Sequence, residues 1–373
     1  MFEQTSKDWM LNVKKYAYAM VVVPPLLLLA SQALWHQFGF ADLFAWFTLF
    51  FVFGLVPMLD HIIGKDPVNP DEASEVPVLS EQGYYRWLTL LCLPMQLASI
   101  VYAGHVFMHT DFGWLGQLGW LMSIGTVGGV VAINVGHELI HKDPTIEQWA
   151  GGLLLASVCY GGFKVEHVRG HHVHVSTPED ASSSRYGQSL YRFLPHAYLH
   201  NFLNAWKLEA KRLQRKGHSP LSWRNELIWW YGISALMAVG CGLLWGWMGV
   251  FFFAAQSFFA FTLLEIINYV EHYGLHRRKL ENGRYERTNV EHSWNSNYLL
   301  TNLFLFQLQR HSDHHAYPKR RYQVLRHHEQ SPQLPSGYAT MVVLALIPPL
   351  WFKVMNPRVE NYYQGEEHQL HAA

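Results

Sequence analysis

The chain has 373 residues, half of them hydrophobic and only 15% charged, against about 25% charged in an ordinary soluble protein. Its 28 basic and 28 acidic side chains balance, so no electrostatic footprint for nucleic acid is present. Three scattered cysteines, Cys92, Cys159 and Cys241, form no C-x-x-C pair, which argues against a disulfide framework, an Fe–S or rubredoxin-type centre and a cysteine-zinc site. Fifteen Trp, 19 Tyr and 22 Phe suit a membrane and its interfaces.

In chain order, six apolar stretches near 16–35, 42–63, 87–108, 114–136, 227–247 and 250–270 each supply the ~20 residues that span a bilayer. The first is no cleavable signal peptide, since it is span-length and lacks a small-residue cleavage site. Helices are expected throughout, because backbone groups in lipid must be satisfied within the segment. Tight connections fall at 36–41, 109–113 and 248–249, and Pro24-Pro25, Pro57 and Pro94 are expected kinks. Numbered from a cytosolic N-terminus, all 28 Lys and Arg fall on one side, which the positive-inside rule makes cytosolic. The expected architecture is therefore all-α, with six transmembrane helices, a cytosolic histidine-rich di-metal cap and both termini cytosolic. It divides into helices 1–4 (1–136), a cytosolic segment (137–226), helices 5–6 (227–270) and a cytosolic C-terminal segment (271–373). The apolar run 150–163 is too short to cross and is read as non-crossing, as is 338–352. The segment 64–81 reads as a solvated loop.

Four histidine-bearing motifs fall on the expected cytosolic side, with His137 and His141 prolonging the fourth span, His272 just past the sixth, and the other two in the cytosolic segments that follow. They are Gly136-His137-Glu138-Leu139-Ile140-His141, Glu166-His167-Val168-Arg169-Gly170-His171-His172, Asn268-Tyr269-Val270-Glu271-His272-Tyr273-Gly274, and Gln309-Arg310-His311-Ser312-Asp313-His314-His315. On an α-helix, positions i and i+4 share a face, so each box can aim two or more imidazoles at one point. Lone histidines such as His105, His109 and His218 are better read as ordinary residues. His61 and His292 rank below the nine as further ligands. His-Glu-x-x-His by itself is the zinc-hydrolase signature, with Glu138 as general base. A catalytic zinc, however, needs three protein ligands, and nine candidates suit two metal ions. Only one workable Glu-x-x-His pair is present, which disfavours the soluble di-iron carboxylate class. A histidine-rich pair of irons with open positions fits best.

These motifs resemble those of the membrane fatty-acid desaturase and hydroxylase superfamily, and in detail its alkane 1-monooxygenase branch. Asn268 to Leu275 is similar to that branch's additional histidine motif. Leu59-Asp60, Gly64-Lys65-Asp66 and His292-Ser293-Trp294-Asn295-Ser296-Asn297 also match. The resemblance covers nearly the whole chain. It implies a non-heme di-iron monooxygenase that inserts one oxygen atom of O2 at the terminal methyl of a medium-chain n-alkane, with electrons from rubredoxin on a separate chain or domain. It places the protein in a bacterial inner membrane with the site on the cytosolic side. The implied metal ligands are His137, His141, His167, His171, His172, His272, His311, His314 and His315. Glu138, Glu166, Glu271 and Asp313 are candidates to orient their rings.

An alkane offers no polar handle, so an apolar tunnel must recognise it. Counting back turns from His137 gives Ile133, Val130 and Thr126, and from His272 gives Asn268, Leu264 and Phe261. Trp46, Phe50 or Phe53 are candidates for the tunnel floor. Glu265, inside the sixth span, requires an interior partner. Arg277, Arg278, Lys279, Lys319, Arg320 and Arg321 are candidates to dock an acidic electron carrier or anionic lipid headgroups. Rival readings are a fatty-acid or lipid desaturase or hydroxylase, a membrane zinc metalloprotease and a non-catalytic metal transporter.

Overall fold

Long apolar runs close their backbone hydrogen bonds most simply as helices, and the computed structural model, which describes residues 2–364, is helical. Its main elements are α1 (Lys7–Phe38), α2 (Phe47–Ile63), α3 (Gly83–His109), α4 (Trp114–Ile140), α5 (Thr145–Ala156), α6 (Leu190–Gln214), α7 (Glu226–His272), α8 (His311–Ala316), α9 (Tyr338–Ala345) and α10 (Pro348–Tyr363). Among the described residues, extended pairing is limited to isolated bridges such as Lys65 with Tyr298. By length and composition α1, α3, α4 and α7 can cross a membrane, whereas α2 is apolar but shorter.

The prolines act through their missing N–H. Pro57 cannot donate back to the carbonyl of Phe53, and the helix ahead of it loosens into a π-helical turn at Phe51–Leu55. Pro24 and Pro25 start a fresh helical segment behind a 3-10 turn at Tyr18–Val22. Drawn straight, the 47 residues of α7 would run roughly 70 Å. Instead the helix breaks at Trp245 (φ −136°) and Gly246 (φ 65°). The reversal comes slightly before the expected 248–249, at the glycine able to take a left-handed φ. The two halves meet beside the break, with Gly249 against the Cys241 carbonyl, and farther along both bond the turn after α5, Ser234 at the Ala156 carbonyl and Gln256 at the Ser157 carbonyl.

The short helix α5 folds back against α4, where Gly136 and Gly151 let the two backbones approach. That return carries the chain back along α4, until Val158 lies beside Gly128. The segment 64–81 is exposed over 71–74, as expected of a solvated loop, but it forms a short helix at Glu75–Ser80 and is partly buried before residue 71. Asp66 is buried there, 2.5 Å from Lys14 Nζ and 2.8 Å from Arg310 Nη2, because the loop closes over the start of the fourth motif.

Trp245 at the α7 break lies against Gly104 of α3, where an added Cβ would sit 2.5 Å from the indole. Overpacking of this kind costs about 1–3 kcal/mol. Gly104→Leu is therefore expected to lower the thermal unfolding midpoint in detergent, and an unchanged midpoint would contradict this contact.

Candidate metal centre

The nine histidines of the four motifs meet at one end of the bundle in two groups. His137, His141, His167, His172 and His314 form one, and His171, His272, His311 and His315 form the other. Within each group one ring nitrogen from every member lies within 4.8 Å of the others. All nine are buried except His172, which is half-buried.

This partition departs from i, i+4 pairing at the second motif. The backbone from His167 to His171 is π-helical, so residues five apart come into line. His172 rather than His171 therefore stands over His167, with their Nε2 atoms 3.0 Å apart. His171 turns to the other group, 3.2 Å from His315 Nε2. The fourth motif keeps α-helical register on α8: His315 and His311 Nε2 lie 2.9 Å apart in the second group, while His314 is turned toward His137 and His141. His272 closes the second group at 3.3 Å from His311 Nε2.

The ring set fits a pair of metal ions. Nitrogens about 3 Å apart have the spacing of neighbouring vertices around an ion with bonds of ~2.1 Å. His137 Nε2, His141 Nε2 and His314 Nε2 are buried without a hydrogen-bond partner, which is costly unless something accepts their lone pairs. Burial, reinforced by neighbouring rings, holds His141, His167, His172, His311, His314 and His315 well below the ordinary imidazole value. That shift favours the neutral ring, the form that ligates metal.

Residues outside the boxes hold the rings in place. Asp180 Oδ2 is 2.9 Å from His171 Nδ1 and also accepts from the Ser183 hydroxyl at 2.6 Å. Burial by itself would lower the His171 value, but the Asp180 carboxylate outweighs it and raises the ring's basicity. No periodic signal marks Asp180 in the sequence. The fourth motif is entered through two consecutive left-handed residues, Phe306 (φ 51°) and Gln307 (φ 61°), which is uncommon outside glycine. Arg310 then anchors it: the buried guanidinium donates to the Asp66 carboxylate, the Leu325 carbonyl and Asn297 Oδ1. The Asn295 side chain accepts from the Ser312 backbone N–H and donates to the Ser312 hydroxyl. Trp294 Nε1 donates to the Tyr273 carbonyl beside His272.

The four expected carboxylates behave differently from one another. Glu271 Oε2 is 3.1 Å from His311 Nε2, so it offers an oxygen donor to the second group, and Tyr338 donates to its other oxygen. Glu138 points away from the rings, to Lys142 at 3.0 Å and the Tyr322 backbone N–H. Asp313 accepts from Arg320, His328 and the Arg326 N–H, bracing the C-terminal segment. Glu166 accepts from Asn204 Nδ2, and its burial pushes its carboxyl up to about 8. His292 is bonded to Glu286 and His61 is exposed; neither joins a group.

An apolar cavity of ≈ 100 Å³ runs between α2, α4, α7 and α9, lined in part by Phe53, Thr126, Val130, Ile133 and Leu264. Asn134 and Leu308 line both this cavity and a small pocket that touches His137 and His314, so its inner end abuts the first group. Phe261 lines a different cavity, and Asn268 is held by Glu265. Of the expected floor, Phe53 lines the cavity, Phe50 faces outward, and Trp46 packs at Gly119. Leu308, Leu305 and Val342 from the C-terminal region also line it. Turn counting from His311 does not reach Leu308, because the chain before His311 is not helical.

Among the basic candidates, Arg277 is not a surface residue. It is 7% exposed and donates to the Val173 carbonyl and Thr288 hydroxyl, because its chain segment turns inward beside the second motif. Arg320 and Arg321 bond Asp313 and Glu147. Lys319 pairs with Asp143 at the surface, and Arg278 and Lys279 are exposed.

Since the groups draw on different members of the second motif, His172→Ala and His171→Ala should each lower metal content from about two ions per chain toward one by elemental analysis. Loss of both ions in both variants would mean that the rings act as one site.

The family model described as "Fatty acid desaturase" matches residues 112–345. Alkane 1-monooxygenase 2 of Pseudomonas aeruginosa is 65% identical over 99% of this chain and 98% of its own length. Alkane 1-monooxygenase 2 of Alcanivorax borkumensis is 64% identical over 99% and 97%. The xylene/toluene monooxygenase hydroxylase component of Pseudomonas putida is 30% identical over 66% of this chain and 65% of its own. The chain belongs to the alkane 1-monooxygenase family within the fatty acid desaturase superfamily.

Proposed function

We propose that this protein hydroxylates the terminal methyl of medium-chain n-alkanes to primary alcohols, using O2 and electrons from a rubredoxin. The observation that carries the reading is the apolar cavity whose inner end abuts the first histidine group. Its full-length relatives are alkane 1-monooxygenases.

Two irons held by the nine histidines, with Glu271 beside the second group, would activate O2 and supply the oxidising power for insertion into a C–H bond. The chain's own residues bind and aim the alkane. Thr126 lies eleven residues before His137 on the same helical run, roughly 16 Å at 1.5 Å per residue, a length suited to a medium chain. Each buried CH2 contributes ~0.8 kcal/mol, so Val130, Ile133 and Leu264 can hold the chain without hydrogen bonds. Asn134 and Leu308 stand where the terminal methyl would meet the rings. Asp180 keeps His171 in one tautomer, its Nδ1–H donated to the carboxylate and Nε2 directed into the second group. The position of Glu138, occupied by Lys142 and Tyr322, removes the base that a zinc protease would need.

The membrane reading that accompanies this function has six crossings, with α2 and the two halves of α7 completing the four long helices. Both termini and the metal centre lie on the cytosolic side of a bacterial inner membrane. In this reading segments 137–226 and 271–373 are the cap over helices 1–136 and 227–270, with Met1 and residues 365–373 lying outside the described residues. The α7 break, the short α2 and the return of α5 support it. Lys279, Arg278 and Lys319 are the exposed bases in position to meet an acidic rubredoxin.

His272→Ala should abolish rubredoxin-dependent turnover of octane or dodecane while the protein stays folded in detergent. Full retained activity would remove His272 from the ligand set, and Mössbauer spectra of the purified protein lacking iron signals would refute the di-iron assignment. Val130→Phe, which obstructs the cavity midway, should shift the product ratio at least about tenfold toward shorter alkanes, given the per-methylene term. An unaltered chain-length profile by gas chromatography would place the substrate elsewhere.

A further inference from the structure

A second cavity, ≈ 310 Å³, opens on the other side of α7 from the alkane channel. Its walls are the rings of Tyr160, Phe163, Tyr198, Phe202, Tyr231 and Phe261. Phe163 stacks on His167 at 4.5 Å between centroids, so this cavity shares a wall with the metal centre. Glu166 and Asn201 supply its polar floor. These two side chains are 2% and 5% exposed, and Glu166 Oε2 and Asn201 Oδ1 have no hydrogen-bond partner.

The surrounding network fixes which atom of Asn201 is left over. Glu265 accepts from the Tyr160 hydroxyl, from Asn201 Nδ2 at 3.1 Å and from Asn268 Nδ2 at 3.2 Å. Asn201 Nδ2 also donates to the Ser182 hydroxyl. The amide nitrogen is thus committed inward, and the oxygen is the unsatisfied atom. An unpaired buried acceptor costs free energy that a hydroxyl donor can recover. An alkane has no such donor, whereas a primary alcohol carries one O–H on an apolar tail, matching a polar floor beneath aromatic walls.

We propose that this cavity is a separate site for a medium-chain primary alcohol, its hydroxyl donating to Asn201 Oδ1 beside Glu166 and its tail lying between Tyr198, Phe202 and Phe261. The inference rests on the reading that the product is such an alcohol. Hydroxylation converts a molecule that suits only the apolar channel into one that suits this site, which draws product away from the channel and leaves that channel to the next alkane.

The test is equilibrium photolabelling of the full-length metal-loaded protein by a 1-alkanol with a terminal diazirine, beside the matched alkane diazirine. It needs no turnover, so its failure leaves the alkane hydroxylation assay standing on its own. The alkanol should label peptides containing 198–202 and 231, with excess 1-dodecanol protecting them and dodecane not. Asn201→Leu should weaken that labelling about tenfold, the scale of one buried hydrogen bond. Phe202→Trp, at a partly exposed rim position, should reduce it without touching the floor and decides the matter if Asn201→Leu does not fold. Equal protection by dodecane, or labelling unchanged in Phe202→Trp, overturns the proposal.

Discussion

Nine imidazoles packed out of water into two groups are a constraint that every neighbouring element of this protein answers. Neutral rings crowded at 2.9–3.3 Å between nitrogens have no hydrogen to place between several of them, and buried lone pairs without partners are costly. They stay together only because the segments bearing them are held independently. Arg310 does this for the fourth motif. Its guanidinium, completely enclosed, is shared among Asp66, Asn297 and two backbone carbonyls. Removing one partner of such a buried pair is typically worse than never having had it, which ties the loop after α2 to the metal centre.

The second anchor is the polar layer beneath the second group. Asp180 reaches His171, and Ser182 reaches Asn201, which in turn reaches Glu265 inside α7. The charge that seemed expensive inside a span is therefore satisfied by Tyr160, Asn201 and Asn268. The same network links the ring positions to the aromatic cavity, so the geometry of the metal groups and the polarity of that floor have a common source.

Around this fixed end, the apolar elements differ in what they leave open. On one side α2, α4, α7 and α9 separate enough for a narrow channel. On the other, α6 and the turn before the second motif leave an aromatic space. A saturated chain and a hydroxylated chain differ by a single donor, and the aromatic cavity is the one of the two lined by buried acceptors without a partner, Asn201 Oδ1 and Glu166 Oε2.

Much of this was legible in the one-dimensional pattern. The length of the apolar runs, the one-sided distribution of basic residues and the H-x-x-x-H spacing indicated helices ending at a shared cluster of histidines. Turn counting from His137 placed Thr126, Val130 and Ile133 on the channel, even though Gly128–Ile133 is itself π-helical. From His272 the same counting found Leu264 but not Phe261, which lines the other cavity. Which metal group His171 and His172 belong to depended on a π-helical turn that no residue spacing announces. Partners such as Asp180 for His171 and Asp66 for Arg310 come from segments 9 and 244 positions away. The inward turn of Arg277, likewise, follows from the docking of its loop against Val173 and Thr288. Local periodicity decides which side chains share a face; only the folded chain decides what that face meets.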